Sequence, residues 1–243
     1  MEESTGRSFP KTIEEVYGSN VTLEKMPVVE IFLSIEGEGI RTGLPVVFVR
    51  FAGCNLRCGY CDTKYSYGDT IDKNIEHLSL NELTARIMSY KLDQVTFTGG
   101  EPLLETEYIE WFIKAFPKYT VNIETNGSID VGVDTGIQTK NSIITMDYKC
   151  PSSGMESHML LTNLEKLREQ DVLKFVVGTQ EDLDKVVELL NVYHVKCHVY
   201  LSPVFGQMDL ERLANFVIKY RYLRLRVGIQ IHKIIWDPLK RGV

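Results

Sequence analysis

The chain has 243 residues, a formal net charge of −6 and 44% apolar residues, which is enough for one large packed domain. It contains no run of eighteen apolar residues and no basic-then-apolar leader, so we expect neither a membrane span nor secretion. The negative charge argues against nucleic acid as a partner, because clustered Lys and Arg bind phosphate backbones. Five cysteines, an odd number concentrated in one segment, favour metal binding in a reducing, cytoplasmic compartment.

The first residues of the chain differ in composition from the rest. Residues 1–26 are polar with little periodicity and predict an N-terminal extension, whereas residues 27–243 predict one domain. In that domain, short runs of β-branched and aromatic residues are typical of strands. They occur over residues 28–33, 46–51, 95–98, 121–124, 143–146, 173–177, 198–202 and 225–231.

Helical periodicity separates many of these strands. Apolar residues recur at helical spacing over residues 80–90, 106–116, 181–190 and 209–220. Ser79 precedes the first of these helices and Glu82 follows three residues later, which is the spacing of a capping box. Strands that alternate with helices indicate parallel β/α units, and functional side chains in such folds collect at the carboxyl ends of the strands.

The first candidate site follows the strand predicted over residues 46–51. Cys54, Cys58 and Cys61 form a Cys-x-x-x-Cys-x-x-Cys motif. A structural zinc site or an ordinary iron–sulfur cluster takes four protein ligands, so three cysteines leave one metal position open for reactive chemistry. Two other interpretations stay open: plain structural thiols, or a zinc site completed by a distant ligand such as Cys150, Cys197, His194 or His198.

Two polar turns follow later predicted strands. The first contains Thr98, Gly99, Gly100 and Glu101, where glycines could let the backbone approach a ligand and the carboxylate could accept a hydrogen bond from an ammonium group. Glu124 ends the next strand in the same way, before an Asn-Gly turn. Taken alone, both segments are typical of ordinary turns.

The cysteine spacing is similar to that of the radical S-adenosylmethionine (SAM) enzymes. The resemblance implies that the three cysteines hold three irons of a [4Fe-4S] cluster, and that the amine and carboxylate of SAM chelate the fourth. It makes Gly99, Gly100 and Glu101 a SAM-binding element and Glu124 a contact of the SAM ribose. Tyr60 and Asp62, beside the cysteines, are further SAM-binding positions implied by it.

Other segments narrow the resemblance to the 7-carboxy-7-deazaguanine synthases. They lie on both sides of the cysteines, at residues 30–39, 49–54, 61–63, 148–153, 201–203, 230–233 and 240–243. That family converts 6-carboxy-5,6,7,8-tetrahydropterin to 7-carboxy-7-deazaguanine with loss of ammonia, on the route to queuosine and other 7-deazapurines. The resemblance therefore implies a carbon–nitrogen lyase in which SAM is a regenerated cofactor.

Family contacts carry over position by position. The pterin contacts implied in this way are Ile35, Glu36, Gly37, Arg50, Thr98, His232 and the C-terminal Val243, and Thr63 is the implied ligand of Mg²⁺. The remaining SAM-binding positions are Asp147, Tyr148, Lys149, Ser202, Pro203, Val204 and Phe205. The family usually has Gln at the position of Glu36, and a carboxylate cannot donate a hydrogen bond unless it is protonated.

The resemblance also implies a fold and partners. Small members of the family have a partial TIM-type barrel, so we expect an α/β fold of about six parallel β/α units. A flavodoxin- or ferredoxin-type electron donor and a homodimer are implied as well.

Two alternative functions remain. One is a glycyl-radical-enzyme activating enzyme, which shares the cysteine spacing but acts on a partner protein. The other is a binding module that holds zinc or a cluster without catalysis. The segments that resemble the 7-carboxy-7-deazaguanine synthases favour a small-molecule substrate over both.

Overall fold

A computed structural model describes residues 25–68, 71 and 73–243 of the protein. Nine strands within these ranges form one sheet. They are β1 (Met26–Ile35), β2 (Pro45–Phe51), β3 (Glu76–Leu78), β4 (Gln94–Gly99), β5 (Thr120–Thr125), β6 (Ser142–Lys149), β7 (Val172–Val177), β8 (His198–Pro203) and β9 (Leu225–Val227). The predicted N-terminal extension lies outside the described residues except for its last two, and β1 begins at Met26.

The sheet is largely parallel. Its strand order is β3-β1-β2-β4-β5-β6-β7-β8-β9. β1 pairs antiparallel with both β2 and β3, whereas β2 and the strands from β4 to β9 all run parallel. The predicted α/β class is therefore confirmed.

Helices connect most of the parallel strands. They are α1 (Leu80–Ser89), α2 (Thr106–Ala115), α3 (Asn163–Lys166), α4 (Gln180–Val192), α5 (Leu210–Lys219) and α6 (His232–Ile235). The predicted capping box of α1 is present, since Ser79 N donates to Glu82 Oε2 at 2.8 Å and Glu82 N donates back to Ser79 Oγ. Of the helices described, none is long and apolar enough to span a bilayer.

The core lies between the helices and one face of the sheet. Phe51 of β2 and Phe97 of β4 point toward the helices, and the polar residues that alternate with them point to the opposite face of the sheet. The two rings pack against Tyr108 and Phe112 of α2, with ring centroids 5.4–6.2 Å apart. All four side chains are almost fully buried. Burial of each aromatic side chain stabilises the fold by about 1.5–3 kcal/mol, so this contact fixes α2 against the two strands that carry the candidate site.

The structure corrects two parts of the predicted secondary structure. The strand predicted over residues 225–231 ends at Val227, because Gly228 N donates to Leu201 O and Ile231 N donates to Gly37 O. His232 is consequently the first residue of α6 rather than the end of a strand. The short elements β3 and α3 carry no strong periodicity and were not expected.

The segment after β1 crosses the face of the sheet that the helices leave open. Glu36 and Gly37 are buried there, and Arg41 donates to Val95 O at 3.3 Å at the start of β4. Glu38 reaches β7, where its carboxylate pairs with Lys174. The crossing segment therefore covers the amino-terminal part of this face and leaves the carboxyl ends of the strands for the candidate site.

Candidate active site

The face of the sheet opposite the helices, here called the inner face, carries charged and polar side chains. Arg50 pairs with Thr98 across β2 and β4, and Asp147 pairs with Lys174 across β6 and β7. Glu124 on β5 lies between them and interacts with the charge of Lys174. The polar row lies near the carboxyl ends of parallel strands, which is where active sites of barrel folds occur.

The three cysteines lie on the loop that follows β2, and all are partly exposed free thiols. Burial raises the pKa of the Cys54 and Cys58 thiols, and the neighbouring thiols of the loop raise it further. Bound iron would offset this cost, since it binds the thiolate. The donor set fits an iron–sulfur cluster with one open position. Within the ranges that the structure describes, no three His, Cys, Asp or Glu side chains form a ready-made metal cluster.

The Gly-Gly-Glu turn packs backbone to backbone against the start of the cysteine loop. Gly100 N donates to Phe51 O at 3.1 Å, and Glu101 N donates to Gly53 O at 2.8 Å. A Cβ on Gly99 would overlap the backbone of Phe51, and a Cβ on Gly100 would overlap the carbonyl group of Gly53. The two glycines are therefore required for the approach of two loops, whereas the sequence suggested the approach of a ligand.

We expect Gly100→Ala to loosen the cysteine loop. The added methyl group has no room unless Gly53 moves, and overpacking of this kind costs about 1–3 kcal/mol. The midpoint of thermal unfolding should fall, as should the iron retained after anaerobic reconstitution. Gly59→Ala is the matched control on the same loop, because its Cβ would make only ordinary contacts at 3.8 and 3.9 Å. Equal behaviour of the two variants would contradict the prediction.

Glu101 has a use that the sequence did not indicate. Its side chain is fully buried, and its carboxylate accepts from Leu103 N at 3.0 Å, Thr125 Oγ1 at 2.7 Å and Asn126 N at 2.7 Å. Burial raises its pKa to about 7. The carboxylate thus joins the ends of β4 and β5, and three of its roughly four acceptor sites are used within the chain. Its contact with the ammonium group of SAM stays a prediction. The backbone of Gly99 and Gly100 remains the predicted SAM-binding part of this turn.

A second loop holds the cysteine loop from the other side. Gly59 N donates to Ser153 O at 3.0 Å, in the loop after β6. Ser152 N and Oγ donate to Asp182 at 2.9 and 2.6 Å, and the same carboxylate accepts from Thr179 N at the start of α4. The position of the cysteines is therefore fixed from both β4 and β6.

A buried charge network lies on the inner face and was missed by the sequence analysis. Lys174 pairs with Glu38 and with Asp147, whose Oδ1 lies 3.0 Å from Nζ. Asp147 also pairs with Lys149 at 2.7 Å. Burial alone would lower the pKa of Lys174, but Asp147 and Glu38 raise it overall. The available signal was a single lysine in the apolar strand Val172–Val177.

The side chain of Glu36 is also fully buried on the inner face. Its Oε2 accepts from Thr96 Oγ1 at 2.7 Å and from Asn122 Nδ2 at 3.4 Å. Burial, followed by the charge of Glu124, raises the pKa of Glu36 to about 7. The carboxyl group is therefore partly protonated at neutral pH, and in that form it can donate a hydrogen bond.

Arg50 is held by an acidic and an aromatic neighbour. Its Nε donates to Glu30 Oε1 at 2.8 Å, and Tyr65 OH donates to the same oxygen at 3.1 Å. This arrangement leaves both terminal amino groups of the guanidinium without a partner in the described part of the chain. The C-terminal tail folds over the same place, since the guanidinium of Arg241 lies 3.9 Å from the Tyr65 ring centroid, and Val243 is partly exposed.

The predicted pterin contacts Gly37 and His232 are brought together. A Cβ on Gly37 would overlap the His232 ring, so the imidazole packs directly on this glycine. Burial lowers the pKa of His232. The next residue, Lys233, pairs with Asp62 at 2.7 Å and so connects α6 to the cysteine loop.

The remaining predicted positions divide between the two faces of the sheet. The Tyr148 ring packs on Phe175 on the helix side, so its side chain points away from the inner face. The hydroxyl groups of Tyr60 and Ser202 are buried and have no hydrogen-bond partner among the described residues. The other positions lie at strand ends or loops: Ile35 at the end of β1, Thr63 with Oγ1 at 3.6 Å from Cys61 Sγ, Pro203 at the end of β8, and Val204 and the exposed Phe205 directly after that strand.

The chain matches proteins of known family over most of its length. A model of the radical SAM superfamily matches residues 48–147, which include the cysteine loop and both polar turns. The 7-carboxy-7-deazaguanine synthase of Clostridium acetobutylicum is 41% identical over 223 residues, covering 89% of this chain and 98% of that protein. The synthase of Methanospirillum hungatei is 38% identical, with 88% and 86% covered. A crystal structure of QueE from Escherichia coli has a TM-score of 0.66 at 25% identity, with 85% and 94% covered.

Fold, cysteine loop and these likenesses define the protein as a radical SAM enzyme. Relatives at 38–41% identity, which match most of this chain, give the family within this superfamily. The chain belongs to the 7-carboxy-7-deazaguanine synthase family. The activating-enzyme alternative, which needs a partner protein as substrate, is not favoured.

Proposed function

We propose that the protein converts 6-carboxy-5,6,7,8-tetrahydropterin to 7-carboxy-7-deazaguanine with loss of ammonia, as a lyase of queuosine and 7-deazapurine biosynthesis. The supporting observation is that the predicted pterin contacts Glu36, Arg50 and Thr98 lie on the inner face. Charge interactions link Arg50 to Glu124, Glu124 to Glu36, and His232 to Asp62 of the cysteine loop. A pterin on the inner face would therefore lie beside the cysteines.

Cys54, Cys58 and Cys61 would hold a [4Fe-4S] cluster, with SAM at its open position. Together the cluster and SAM supply one-electron cleavage of a sulfonium and removal of a hydrogen atom from a substrate C–H bond. The chain itself keeps the three cysteines in place through the two loops that flank them. Its buried inner face also limits the access of water. This protects a radical from side reactions with solvent.

SAM would bind between the cysteine loop and the ends of β5 to β8. Lys149 is held by Asp147 at 2.7 Å and interacts with the charge of Cys58, so a cation stands beside the cysteines. The buried hydroxyl groups of Tyr60 and Ser202 lack partners in the described part of the chain, and such groups are costly unless a ligand supplies one. The SAM contacts of Gly99, Gly100 and Glu124 are part of the same proposal.

Arg50 would bind the pterin carboxylate through its two terminal amino groups. A guanidinium fork matches a carboxylate with two parallel hydrogen bonds, and Glu30 keeps the fork in one orientation. Thr98, the neutral form of Glu36 and the unprotonated form of His232 would contact the ring system. Thr63 beside Cys61 would supply an oxygen to Mg²⁺, which commonly takes only one or two protein oxygens and keeps several waters.

The partners of the enzyme follow from the reaction. One-electron chemistry needs a one-electron donor, and we propose a flavodoxin- or ferredoxin-type protein. Five free cysteines and an iron–sulfur cluster suit a reducing cytoplasm. Exposed apolar side chains on α6, Ile234 and Ile235, support a homodimer in which a second copy covers them.

The test is an anaerobic product assay with reconstituted protein, SAM, a chemical reductant and carboxy-tetrahydropterin, with and without Mg²⁺. We expect 7-carboxy-7-deazaguanine, more of it with Mg²⁺, and about four irons per chain. Cys58→Ser should reduce the product to the background level, because it removes one thiolate ligand. Cys197→Ser is the matched control, since Cys197 lies outside the loop, and it should leave the product unchanged.

Two outcomes would contradict the proposed function. If the cluster is intact and responds to SAM but no product forms, the result would favour a glycyl-radical-enzyme activating enzyme. Colourless protein with one tightly bound zinc would indicate a binding module instead.

A further inference from the structure

The turn after β5 directs the side-chain amide of Asn126 at the cysteine loop. Ser128 N donates to Asn126 Oδ1 at 3.0 Å, and a backbone N–H can only donate, so the amide oxygen must face it. The amide nitrogen must then face the other way. It lies 2.9 Å from Asn55 Oδ1 and 3.8 Å from Cys54 Sγ.

A ring of hydrogen bonds holds this amide in place. Asn126 is only 6% exposed, and its backbone N donates to Glu101 Oε2 at 2.7 Å. Ser128 Oγ donates to Asn126 Oδ1 at 2.6 Å and accepts from Asn55 Nδ2 at 2.8 Å. Since Asn55 follows Cys54 directly, the ring joins the β5 turn to the first cysteine and fixes the direction of the N–H bond.

Cys54 Sγ therefore has two N–H donors, because Leu56 N also lies 3.4 Å from it. A cluster gains negative charge on reduction, and hydrogen bonds to its ligating sulfurs stabilise that charge. The effect is stronger in a partly buried site, where the effective dielectric constant is low. Of the two donors, only the Asn126 amide can be removed without changing the backbone of the cysteine loop.

We propose that Asn126 is a positioning residue that makes one-electron reduction of the cluster more favourable, through its N–H···S hydrogen bond to Cys54. The inference rests on the proposed function, because it requires Cys54 to be a cluster ligand. It also assigns a role to Ser128 N and Asn55 Oδ1, which orient the Asn126 amide so that its N–H group faces one sulfur.

The test is a potentiometric titration of the anaerobically reconstituted full chain, with Ti(III) citrate as reductant and the signal of the reduced cluster followed by electron paramagnetic resonance. Asn126→Leu removes the amide N–H donor and replaces it with a side chain of similar volume. We expect reduction to become about tenfold less favourable, which is 59 mV for a one-electron couple. Ser128→Ala is the matched control, since it removes the hydroxyl but keeps the Ser128 N–H and Asn55 Oδ1 partners that orient the Asn126 amide, and we expect less than a twofold change.

An unchanged midpoint in Asn126→Leu with full iron content would overturn the inference, as would an equal shift in Ser128→Ala. If Asn126→Leu retains no cluster, wild-type protein labelled with ¹⁵N in the asparagine side chains decides the question. Its reduced cluster should show a ¹⁵N hyperfine coupling, and absence of the coupling would overturn the inference. A wild-type protein that holds the cluster but forms no product would contradict the proposed function and leave these measurements interpretable.

Discussion

Lys174→Met is expected to destabilise the fold by about 3–5 kcal/mol, because it leaves buried carboxylates without their cation. Lys174 lies on the inner face of β7 at 7% exposure and pairs with Glu38 and Asp147, while Glu124 adds a third negative charge nearby. Methionine has nearly the same length and packs well in place of the lysine stem. The loss therefore reports on charge rather than on a cavity. Urea unfolding at neutral pH measures it.

The matched control is Lys185→Met. Lys185 also pairs with two carboxylates, Glu156 at 3.3 Å and Glu188 at 2.8 Å, but it lies at the surface of α4. Exposed ion pairs contribute about 0–1 kcal/mol, so this variant should unfold near the wild-type denaturant concentration. A Lys174→Met protein as stable as Lys185→Met would mean that water reaches the network and screens it. The network would then not be a buried structural element of the site.

Local patterns were sufficient for most of the fold. The spacing of apolar residues located the central parallel strands and the longer helices, because each of these elements buries one face along its own length. The predicted end of β9 was wrong because contacts with distant parts of the chain decide where this strand ends. Residues 228–231 look like a strand in isolation, but Gly228 and Ile231 donate to Leu201 and Gly37, which are distant in sequence. No pattern within the segment contains that information.

In the candidate site, too, the features set by local sequence could be predicted and those set by long-range contacts could not. The spacing of Cys54, Cys58 and Cys61 is a local signal, so the cysteine loop could be predicted. The pairing of Lys174 with Glu38 joins residues 136 positions apart, and it depends on the crossing segment after β1. The use of Glu101 could not be predicted either, because its carboxylate accepts from Thr125 and Asn126 at the end of β5 as well as from its own turn. Sequence thus located the residues of these turns but not the direction in which their side chains point.

Glu36→Gln is expected to stabilise the protein above neutral pH and to have little effect in acid. Burial raises the pKa of Glu36 from 4.5 to about 7, so the folded state keeps this proton where the unfolded state has lost it. The stability of the wild type therefore falls as the pH rises from 4.5 to about 7, and the cost of ionisation is complete above that range. Glutamine is always neutral and can still accept from Thr96 and Asn122. At pH 8.5 the variant should gain about 3 kcal/mol, and near pH 5 less than about 1 kcal/mol.

The measurement is the free energy of unfolding of both proteins in urea at several pH values. Buried acids that do not interact with Glu36, such as Glu101, titrate equally in both proteins. The difference between the two curves therefore reports on Glu36 together with its interaction with Glu124. Glu169→Gln, in an exposed loop, is the control and should give a difference near zero throughout. A constant difference for Glu36→Gln would show that the carboxyl group does not titrate in this range. In that case Glu36 would stay ionised at neutral pH, and it could only accept hydrogen bonds from the pterin. A difference that grows with pH instead supports a neutral carboxyl group that donates to the pterin as a glutamine amide would.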